Sequence, residues 1–145
     1  MDAVVCLSTS LPHLQEHEEI LRALQSMRGV LRDGGILVVD QGMTDRQWME
    51  RPRFLPAMQS RDLSRLLAID YGETAFTVYA IDFVHQESVT AFHVDRFDDR
   101  TFLGEDNEML LRRAGFAEVT FFGGFEEEPY DPVKSRRLIC VVVRG

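Results

Sequence analysis

The chain has 145 residues, of which 45% are hydrophobic and 28% charged, and its formal net charge is −8. This length and composition are typical of one soluble globular domain with its own core. The negative charge disfavours a general nucleic-acid-binding protein, which needs positive charge to displace the counterions of the phosphates. No apolar run approaches the roughly 20 residues of a membrane-spanning helix, and no basic segment follows Met1, so we expect no signal peptide.

The two cysteines, Cys6 and Cys140, lie inside apolar runs. Such positions predict free, buried thiols, which favour a cytoplasmic location. Because both cysteines fall in the middle of predicted strands, neither is expected to act as a nucleophile.

The first third of the sequence predicts a strand, a helix and a second strand. Asp2–Leu7 is a short, nearly continuous apolar run, which is typical of a strand buried on both faces. Pro12 suits the first turn of a helix, and apolar side chains follow at helical spacing. Gly34-Gly35 ends the helix, with a positive φ at Gly35 or its neighbour, and Ile36–Asp40 is a second buried strand. A strand–helix–strand unit implies parallel strands and a right-handed crossover.

The middle of the sequence predicts an antiparallel meander. Leu63–Tyr71, Ala75–Val84 and Ser88–Phe97 are rich in Thr, Val, Phe and Tyr, which favour strands. The connections at Gly72-Glu73 and near Gln86-Glu87 are too short for a crossover helix, so consecutive strands run antiparallel. The strand pattern ends around residues 98–103, which we expect to form a loop.

The last third returns to alternating helix and strand. Glu105–Ala114 carries apolar side chains on one helical face and ends at Gly115. Phe116–Phe122 is a predicted strand, a loop with two prolines and three consecutive glutamates follows, and Leu138–Val143 is a final buried strand. The sequence therefore predicts an α/β fold with an antiparallel β-meander as an insert.

Four segments resemble, in order, motifs from the second half of class I S-adenosylmethionine-dependent methyltransferases, whose sheet order is usually 3-2-1-4-5-7-6. The fourth-strand motif resembles DAVVCLSTSLPHL, and the next helix and fifth strand resemble GVLRDGGILVVDQ. The later helix and sixth strand resemble LLRRAGFAEVTFFGGF, and the antiparallel seventh strand resembles SRRLICVVVRG. The glycine N-methyltransferase-like subgroup is the most similar, and residues 51–97 resemble the antiparallel insert of its relatives.

This resemblance implies a partial Rossmann-like sheet that contains the family's strands 4, 5, 6 and 7. Residues 1–58 would hold strand 4, a helix and strand 5, residues 59–98 the antiparallel insert, and residues 99–145 a helix with strands 6 and 7. The family's cofactor is S-adenosylmethionine, held by a glycine-rich turn after the first strand. The sequence has no G-x-G-x-x-G motif, so we expect this chain to lack the N-terminal, cofactor-binding half.

The resemblance places the cofactor contacts at the carboxyl ends of the parallel strands, where open α/β sheets bind ligands. Leu7, through its backbone carbonyl, and His13 match the family's cofactor-binding positions. The alternative for His13 is an exposed histidine in the first turn of a helix. Asp40, at the end of the second strand, is interpreted as a turn or N-cap residue.

The substrate-binding candidates come from two parts of the chain. Thr9 stands where glycine-specific enzymes carry an asparagine, within a motif of leucine, glycine, asparagine and serine. Their substrate arginine aligns with Gly42, and Arg46 is the nearest replacement, so these departures count against glycine as the substrate. The insert carries four candidates on its predicted strands, of which alternation can place two in a pocket: Tyr71, Tyr79, His93 and Arg96. Tyr79 and Arg96 are preferred. For each of the four, the alternative is a structural or surface role.

Other chemistries have little support in the sequence. His13 and His17 are four residues apart on the predicted helix, which is compatible with a metal-ligand pair, but no third ligand accompanies them. No G-x-S-x-G motif supports a hydrolase. Methyl transfer requires mainly proximity and alignment, with His13 or Tyr79 as a base if the acceptor must lose a proton.

Two functions therefore stay open. The first is a methyltransferase that acts on a small molecule and lacks its cofactor-binding half in this chain. The second is a non-catalytic half-domain that binds a partner or a second copy, because the Asp2–Leu7 strand would form an unpaired apolar edge. We expect a homodimer joined near that strand or near the insert.

Overall fold

The chain folds into two units in the computed structural model, which describes residues 1–85 and 90–145. Met1–Glu50 and Thr101–Gly145 form the first, which we call the α/β unit, and Arg51–Arg100 form the second, the meander unit. The single partial domain divided at residues 59 and 98 stays a prediction. No helix within the described ranges is long and apolar enough to span a membrane.

The α/β unit contains both helices and strands, whereas four consecutive strands build the meander unit. In chain order the elements are β1 (Ala3–Cys6), a short 3-10 helix η1 (Leu11–His13), α1 (His17–Val30), β2 (Ile36–Gln41), α2 (Asp45–Glu50), β3 (Phe54–Gln59), β4 (Leu63–Tyr71), β5 (Ala75–His85), β6 (Thr90–Arg100), α3 (Gly104–Arg113), β7 (Glu118–Phe122) and β8 (Leu138–Val143).

The sheet of the α/β unit has the strand order β1-β2-β8-β7. β1 runs parallel to β2, whereas β8 runs antiparallel to both β2 and β7. This is the order 4-5-7-6 that the resemblance implies, so the predicted α/β, partly Rossmann-like fold is confirmed. The parallel pair follows from α1, because only a crossover connection lets two consecutive strands point the same way.

The core of the α/β unit lies where one face of this sheet packs against α1 and α3. Leu37 and Val39 of β2 point to the same face and are almost fully buried. They meet helical leucines that are equally buried, and the same cluster includes Leu24, Leu110, Leu111, Phe116, Leu138, Cys140 and Val142.

The prediction that the first strand is buried on both faces is wrong. Val4 and Cys6 pack against the core, but Val5 between them is 58% exposed. β1 lies at the edge of the sheet and, within the described residues, pairs only with β2. β1 therefore has more apolar side chains than this sheet buries.

The predicted helix that begins at Pro12 is also wrong, because two helices occupy this segment. Pro12 lies in η1, whereas α1 begins at His17. Extended backbone separates them, with ψ 118° at Leu14 and ψ 137° at Glu16. The Glu16 N–H donates to the Glu19 carboxylate at 3.3 Å, an N-terminal capping contact that fixes where α1 starts.

The end of α1 depends on the last residues of the chain. The Arg144 side chain donates to the carbonyl of Arg28 at 3.1 Å and to the carbonyl of Leu31, groups that a helix end leaves without intrahelical partners. The turn into β2 places Gly34 at φ +73°, as the Gly-Gly pair predicts.

The meander unit is a four-stranded antiparallel sheet in the order β3-β4-β5-β6. β3 is absent from the sequence-based prediction, and Pro56 makes this segment untypical of a strand. Pro56 is tolerated since β3 is an edge strand with a register shift between Pro56 and Met58. β6 continues to Arg100, through part of the predicted loop. The predicted strand start at Ser88 and the connection near Gln86-Glu87 lie outside the described residues.

Neighbouring residues of α3 provide a test of the core. Leu110 is fully buried and Met109 is 41% exposed. We expect Leu110→Ala to lower the free energy of unfolding by about 2–5 kcal/mol, since it leaves a cavity in the core. Met109→Ala is the matched control and should cost less than about 1 kcal/mol. Urea denaturation measures both, and equal losses would contradict this position of the core.

Candidate functional site

Three strand ends meet at one edge of the α/β unit. β1 and β2 are parallel, so both carboxyl ends lie there, and the antiparallel β8 begins opposite the end of β2, with Leu138 paired to Gln41. We call this the carboxyl edge. It comprises residues 7–10 after β1, residues 40–42 at the end of β2, and Arg137 immediately before β8.

Two consecutive residues after β1 have left-handed backbone. Ser8 has φ +58° and Thr9 has φ +65°, a region that costs side chains other than glycine roughly 1–2 kcal/mol. A β-branched residue such as Thr9 is rare there. In the resembled motif these positions carry glycine and asparagine, the two residues that tolerate this backbone best. The edge therefore begins with a strained turn.

Thr9 is held against the end of β2. Its N–H donates to the Asp40 carbonyl at 3.5 Å. A Cβ atom at Gly42 would lie only 2.4 Å from Thr9 Oγ1. The side chain of Thr9 thus occupies the space beside residue 42, and any larger residue there would require Thr9 Oγ1 to move.

The two residues predicted to contact the cofactor lie on either side of this turn. Leu7 is 48% exposed, and its carbonyl accepts a hydrogen bond from Ser10 Oγ at 2.9 Å. His13 is exposed at the end of η1, and its carbonyl accepts from the Gln15 amide at 3.2 Å. Their roles as cofactor contacts stay predictions.

The histidine pair considered as metal ligands does not share a helix. His13 ends η1, whereas His17 begins α1 and has Nε2 3.8 Å from Asp106 Oδ1. The prediction that both histidines lie four residues apart on one helix is therefore wrong. Residues 1–85 and 90–145 contain no group of three His, Cys, Asp or Glu side chains that could hold a metal ion.

Asp40 is a buried carboxylate, and its interpretation as a turn or N-cap residue is wrong. It lies within β2, is 4% exposed, and forms an ion pair with Arg137. The Arg137 guanidinium also lies over the Phe125 ring, 4.4 Å from its centroid. No local pattern indicates this pair, because Asp40 and Arg137 are 97 residues apart.

Several buried polar atoms at the end of β2 have no hydrogen-bond partner in the described part of the chain. They are Asp40 Oδ1 and both side-chain amide atoms of Gln41, which is 3% exposed. Buried polar groups are usually paired, and each unpaired one costs about 1–3 kcal/mol. Several unpaired buried polar atoms in one place are more typical of a ligand-binding site than of a segment that only stabilises the fold.

Arg46 lies on α2, where its guanidinium already has partners. Nε donates to Glu50 at 2.8 Å and Nη1 donates to the Lys134 carbonyl at 3.3 Å. Thr44 caps α2, accepting the Gln47 N–H at 3.2 Å. Arg46 thus connects α2 to the loop between β7 and β8, and its predicted role in substrate binding stays a prediction.

A second contact holds the same loop. The Tyr130 hydroxyl donates to Asp45 Oδ2 at 2.5 Å, and Gly104 N–H donates to that oxygen at 3.1 Å. Burial and the adjacent Asp45 carboxylate raise the pKa of the Tyr130 phenol well above its usual range. An open surface pocket of about 660 Å³ lies along the loop, and its lining includes Phe125, Glu128, Lys134 and Arg137.

The thiols have the properties of structural cysteines. Both are free, and Cys140 is fully buried. Burial, with a smaller contribution from Asp40, raises the pKa of the Cys140 thiol, and burial also raises the pKa of the Cys6 thiol. A high pKa disfavours the thiolate, so neither group is suited to nucleophilic attack.

The meander unit places its two preferred candidates side by side. Tyr79 of β5 is directly opposite Arg96 of β6, and Arg96 forms an ion pair with Asp98 at 2.9 Å. Tyr71 and His93 fall on the opposite face of that sheet, by the alternation of strand residues. Contact of Tyr79 and Arg96 with a substrate stays a prediction.

Comparison with known proteins supports the sequence-based resemblance. No protein-family model matches the chain. Over 126 residues, or 87% of its length, it is 26% identical to the glycine/sarcosine N-methyltransferase of Aphanothece halophytica, of which it covers 45%.

Solved structures of S-adenosylmethionine-dependent methyltransferases share the fold. One from Clostridium acetobutylicum matches with a TM-score of 0.80 at 12% identity, over 100% of this chain and 58% of its own. An amino pentose methyltransferase from Micromonospora echinaspora gives 0.76 at 18%, over 100% and 58%. A sugar N-methyltransferase from a Streptoalloteichus species gives 0.72 at 21%, over 99% and 56%.

The predicted recognition is confirmed by these matches. The chain is similar to the C-terminal half of class I S-adenosylmethionine-dependent methyltransferases, and it has their fold. It spans about half the length of the relatives that it matches.

The carboxyl edge has polar groups that a cofactor's amino group could contact. The Leu7 carbonyl has accepted one hydrogen bond, from Ser10, and a carbonyl oxygen has a second lone pair that can accept from an amino group. The adjacent Thr9 hydroxyl and exposed His13 offer further polar groups. These polar groups are compatible with an amino-acid group as ligand, and contact with the cofactor stays a prediction.

The strained turn can be tested with two serines. Ser8 has φ +58° and Ser10 has φ −68°, so Ser8→Gly relieves strain and Ser10→Gly does not. We expect Ser8→Gly to raise the free energy of unfolding by about 0.5–1 kcal/mol, after the entropy that glycine adds to the unfolded chain. Ser10→Gly, the matched control, should lower it. A loss in both variants by urea denaturation would show that Ser8 is not strained.

The Asp40–Arg137 pair can be tested with a double-mutant cycle. Arg137→Gln leaves a buried carboxylate unpaired and should lower the free energy of unfolding by about 2 kcal/mol, less than for a fully buried pair because Arg137 is partly exposed. In an Asp40→Asn background the same change should cost less than about 1 kcal/mol.

The control for this cycle is an exposed ion pair. Arg113 contacts Glu18 at 2.9 Å with both side chains largely exposed, so Arg113→Gln should change stability by less than about 1 kcal/mol. An equal cost of Arg137→Gln in both backgrounds would mean that Asp40 does not depend on this arginine.

Proposed function

We propose that this chain supplies the acceptor side of an S-adenosylmethionine-dependent methyltransferase that acts on a small molecule. The observation that carries the proposal is the carboxyl edge, where Leu7, Thr9 and Asp40 meet in the strand order of those enzymes. The similarity to a glycine/sarcosine N-methyltransferase over 87% of the chain supports it. The activity itself would also require the part of the relatives that this chain does not span.

We infer that the methyl acceptor is an amine nitrogen. Glycine/sarcosine, sugar and glycopeptide N-methyltransferases are among the similar proteins, and one matched enzyme acts on an amino pentose. A buried carboxylate at the edge favours a ligand with N–H donors, because Asp40 Oδ1 has no hydrogen-bond partner in the described residues. Thr9 and Arg46 remain the proposed substrate contacts of the α/β unit, and Tyr79 and Arg96 those of the meander unit.

The chemistry asked of these residues is modest. S-adenosylmethionine supplies, when bound, a methyl group on a sulfonium with a good leaving group. The side chains at the edge bind and orient the acceptor and exclude water, which accounts for much of such a rate enhancement. An ammonium acceptor must lose a proton, and exposed His13 is the proposed base in the α/β unit.

Self-association is the second proposed function, in which the chain is a non-catalytic half-domain. The exposed edge of β1 supports it, with Val5 58% and Leu7 48% exposed, because unpaired strand edges pair readily with other chains.

A cytoplasmic location is proposed from the free thiols of Cys6 and Cys140.

A titration of the 145-residue chain with S-adenosylhomocysteine tests the methyltransferase proposal. Amide chemical shifts in proton–nitrogen NMR spectra detect contact even at millimolar affinity. We expect shifts concentrated at residues 7–13, and a several-fold weaker response in His13→Ala. His17→Ala is the matched control and should respond as the unmodified chain does.

Two outcomes would contradict the proposal. The absence of any shift up to millimolar ligand would leave the similarity to methyltransferases as a shared fold without cofactor binding by this chain. Shifts confined to residues 51–100 would place the ligand away from the carboxyl edge.

A further inference from the structure

Arg137 belongs both to the carboxyl edge and to the open pocket along the loop between β7 and β8. The pocket has a volume of about 660 Å³, and Arg137 is part of its lining. The Arg137 side chain is 41% exposed, whereas the Asp40 side chain with which it pairs is 5% exposed. The guanidinium therefore connects a buried carboxylate to a surface that a small molecule can reach.

Two contacts fix this guanidinium in place before any ligand binds. Nη2 donates a hydrogen bond to Asp40 Oδ2, and the cation lies over the Phe125 ring, 4.4 Å from its centroid. A side chain that is already held in one position loses little conformational entropy on binding. Arg137 is thus preorganised, unlike an arginine that extends freely into solvent.

Most hydrogen-bond donors of the guanidinium are unused. An arginine has five N–H donors, and within the described residues the Arg137 side chain donates one hydrogen bond, to Asp40. Its Nε is buried and has no partner among those residues. A planar guanidinium with free N–H groups binds a carboxylate or a phosphate through parallel hydrogen bonds. The ligand group that best fits Arg137 is therefore an oxyanion.

The other charged side chains of the pocket are of both signs. With Arg137 they comprise three cations and three carboxylates, the other five being Glu126, Glu128, Asp131, Lys134 and Arg136. Such a lining disfavours a ligand of high negative charge, because like charges placed side by side are costly. It favours a ligand whose negative and positive groups cancel.

The place for the positive group is beside Arg137. Asp40 Oδ1 is buried and has no hydrogen-bond partner in the part of the chain that the structure describes. The other oxygen of the same carboxylate contacts the guanidinium. An amine bound at Oδ1 and an oxyanion bound at Arg137 would therefore be only a few bonds apart in the ligand. An α-amino acid, in which a single carbon atom joins the two groups, has this spacing.

We propose that Arg137 binds the carboxylate of an α-amino acid whose amine nitrogen is the methyl acceptor. The inference rests on the proposed function, in which Asp40 favours an amine ligand, and it adds the group that selects among amines. An amine without a carboxylate leaves the guanidinium unpaired toward the pocket, so Arg137 determines specificity.

Four small probes separate the two charges. L-Alanine carries both, isopropylamine has a methyl group in place of the carboxylate, 2-methylpropanoate has one in place of the amine, and inorganic phosphate is an oxyanion of another class. Proton–nitrogen NMR spectra of the 145-residue chain are followed during each titration. We expect L-alanine to shift the amides of residues 40–42 and 123–137. Each of the other probes should bind about tenfold more weakly, because it loses charge-assisted hydrogen bonds.

A variant of Arg137 tests the residue itself. Arg137→Lys keeps the positive charge but loses the planar pair of N–H donors. We expect it to weaken L-alanine binding about tenfold and to change isopropylamine binding by less than about twofold, a difference that a purely structural role would not produce. Thermal melts establish that the variant folds, and the comparison of probes on the unmodified chain decides the proposal if it does not.

The matched control is the neighbouring arginine. Arg136 is exposed, lines the same pocket and forms no ion pair in the described residues. Arg136→Gln should therefore change the affinity for L-alanine by less than about twofold. A loss as large as that of Arg137→Lys would mean that the pocket attracts the carboxylate by its general charge and not through Arg137.

Three further results would overturn the proposal. Equal affinities for L-alanine and isopropylamine would show that no group recognises the carboxylate. Tighter binding of phosphate than of L-alanine would assign the pocket to phosphate. The absence of any response to L-alanine up to about 50 mM would exclude this class of ligand.

The titration with S-adenosylhomocysteine separates this proposal from the proposed function. A response of residues 7–13 to that ligand, with none to L-alanine, would overturn the amino-acid site and leave the proposed function in place. A response to L-alanine alone would support the amino-acid site and contradict the proposed function.

Discussion

The carboxyl edge depends on the ion pair between Asp40 and Arg137. Asp40 lies near the end of β2, and Arg137 ends the loop that leads into β8. The pair therefore joins the parallel part of the sheet to the segment that returns antiparallel beside it. Phe125 packs under the same guanidinium, so the loop is held at both its beginning and its end.

Two further contacts hold this loop beside the carboxyl edge. Tyr130 binds Asp45 at the start of α2, and the Lys134 carbonyl accepts a hydrogen bond from Arg46. The loop is thus fixed to β2 and α2 by three separate side chains. A long loop without helix or strand is otherwise mobile, and this tethering is what allows it to shape a site.

Unfavourable interactions are concentrated at the same place. Ser8 and Thr9 have strained backbone, and the ends of the Asp40 and Gln41 side chains contain buried atoms without partners in the described residues. The core between the sheet, α1 and α3 is instead built from leucines in nearly full burial. Strain and unpaired groups persist where function requires them, which is why the edge, and not the core, is the candidate site.

Local patterns were sufficient to predict most of the α/β unit. β2 and β8 are continuous apolar runs, and Gly34 has the positive φ that its Gly-Gly turn predicts. β3 was missed because Pro56 is acceptable only at a sheet edge, and edge position is a property of the whole fold. The Asp40–Arg137 pair joins residues 97 positions apart, and sequence periodicity carries no information on such contacts.

The contact between Thr9 and Gly42 bears on which substrate the edge can accept. In the resembled glycine-specific enzymes these positions carry an asparagine and an arginine, so the chain departs from the motif twice. The two differences are coupled in the structure, because a Cβ at residue 42 would lie 2.4 Å from Thr9 Oγ1. No side chain fits at residue 42 while Thr9 keeps this rotamer, and an arginine there is excluded with it. The edge therefore lacks that guanidinium for a substrate carboxylate, and the proposed amine acceptor would have to be recognised by other groups.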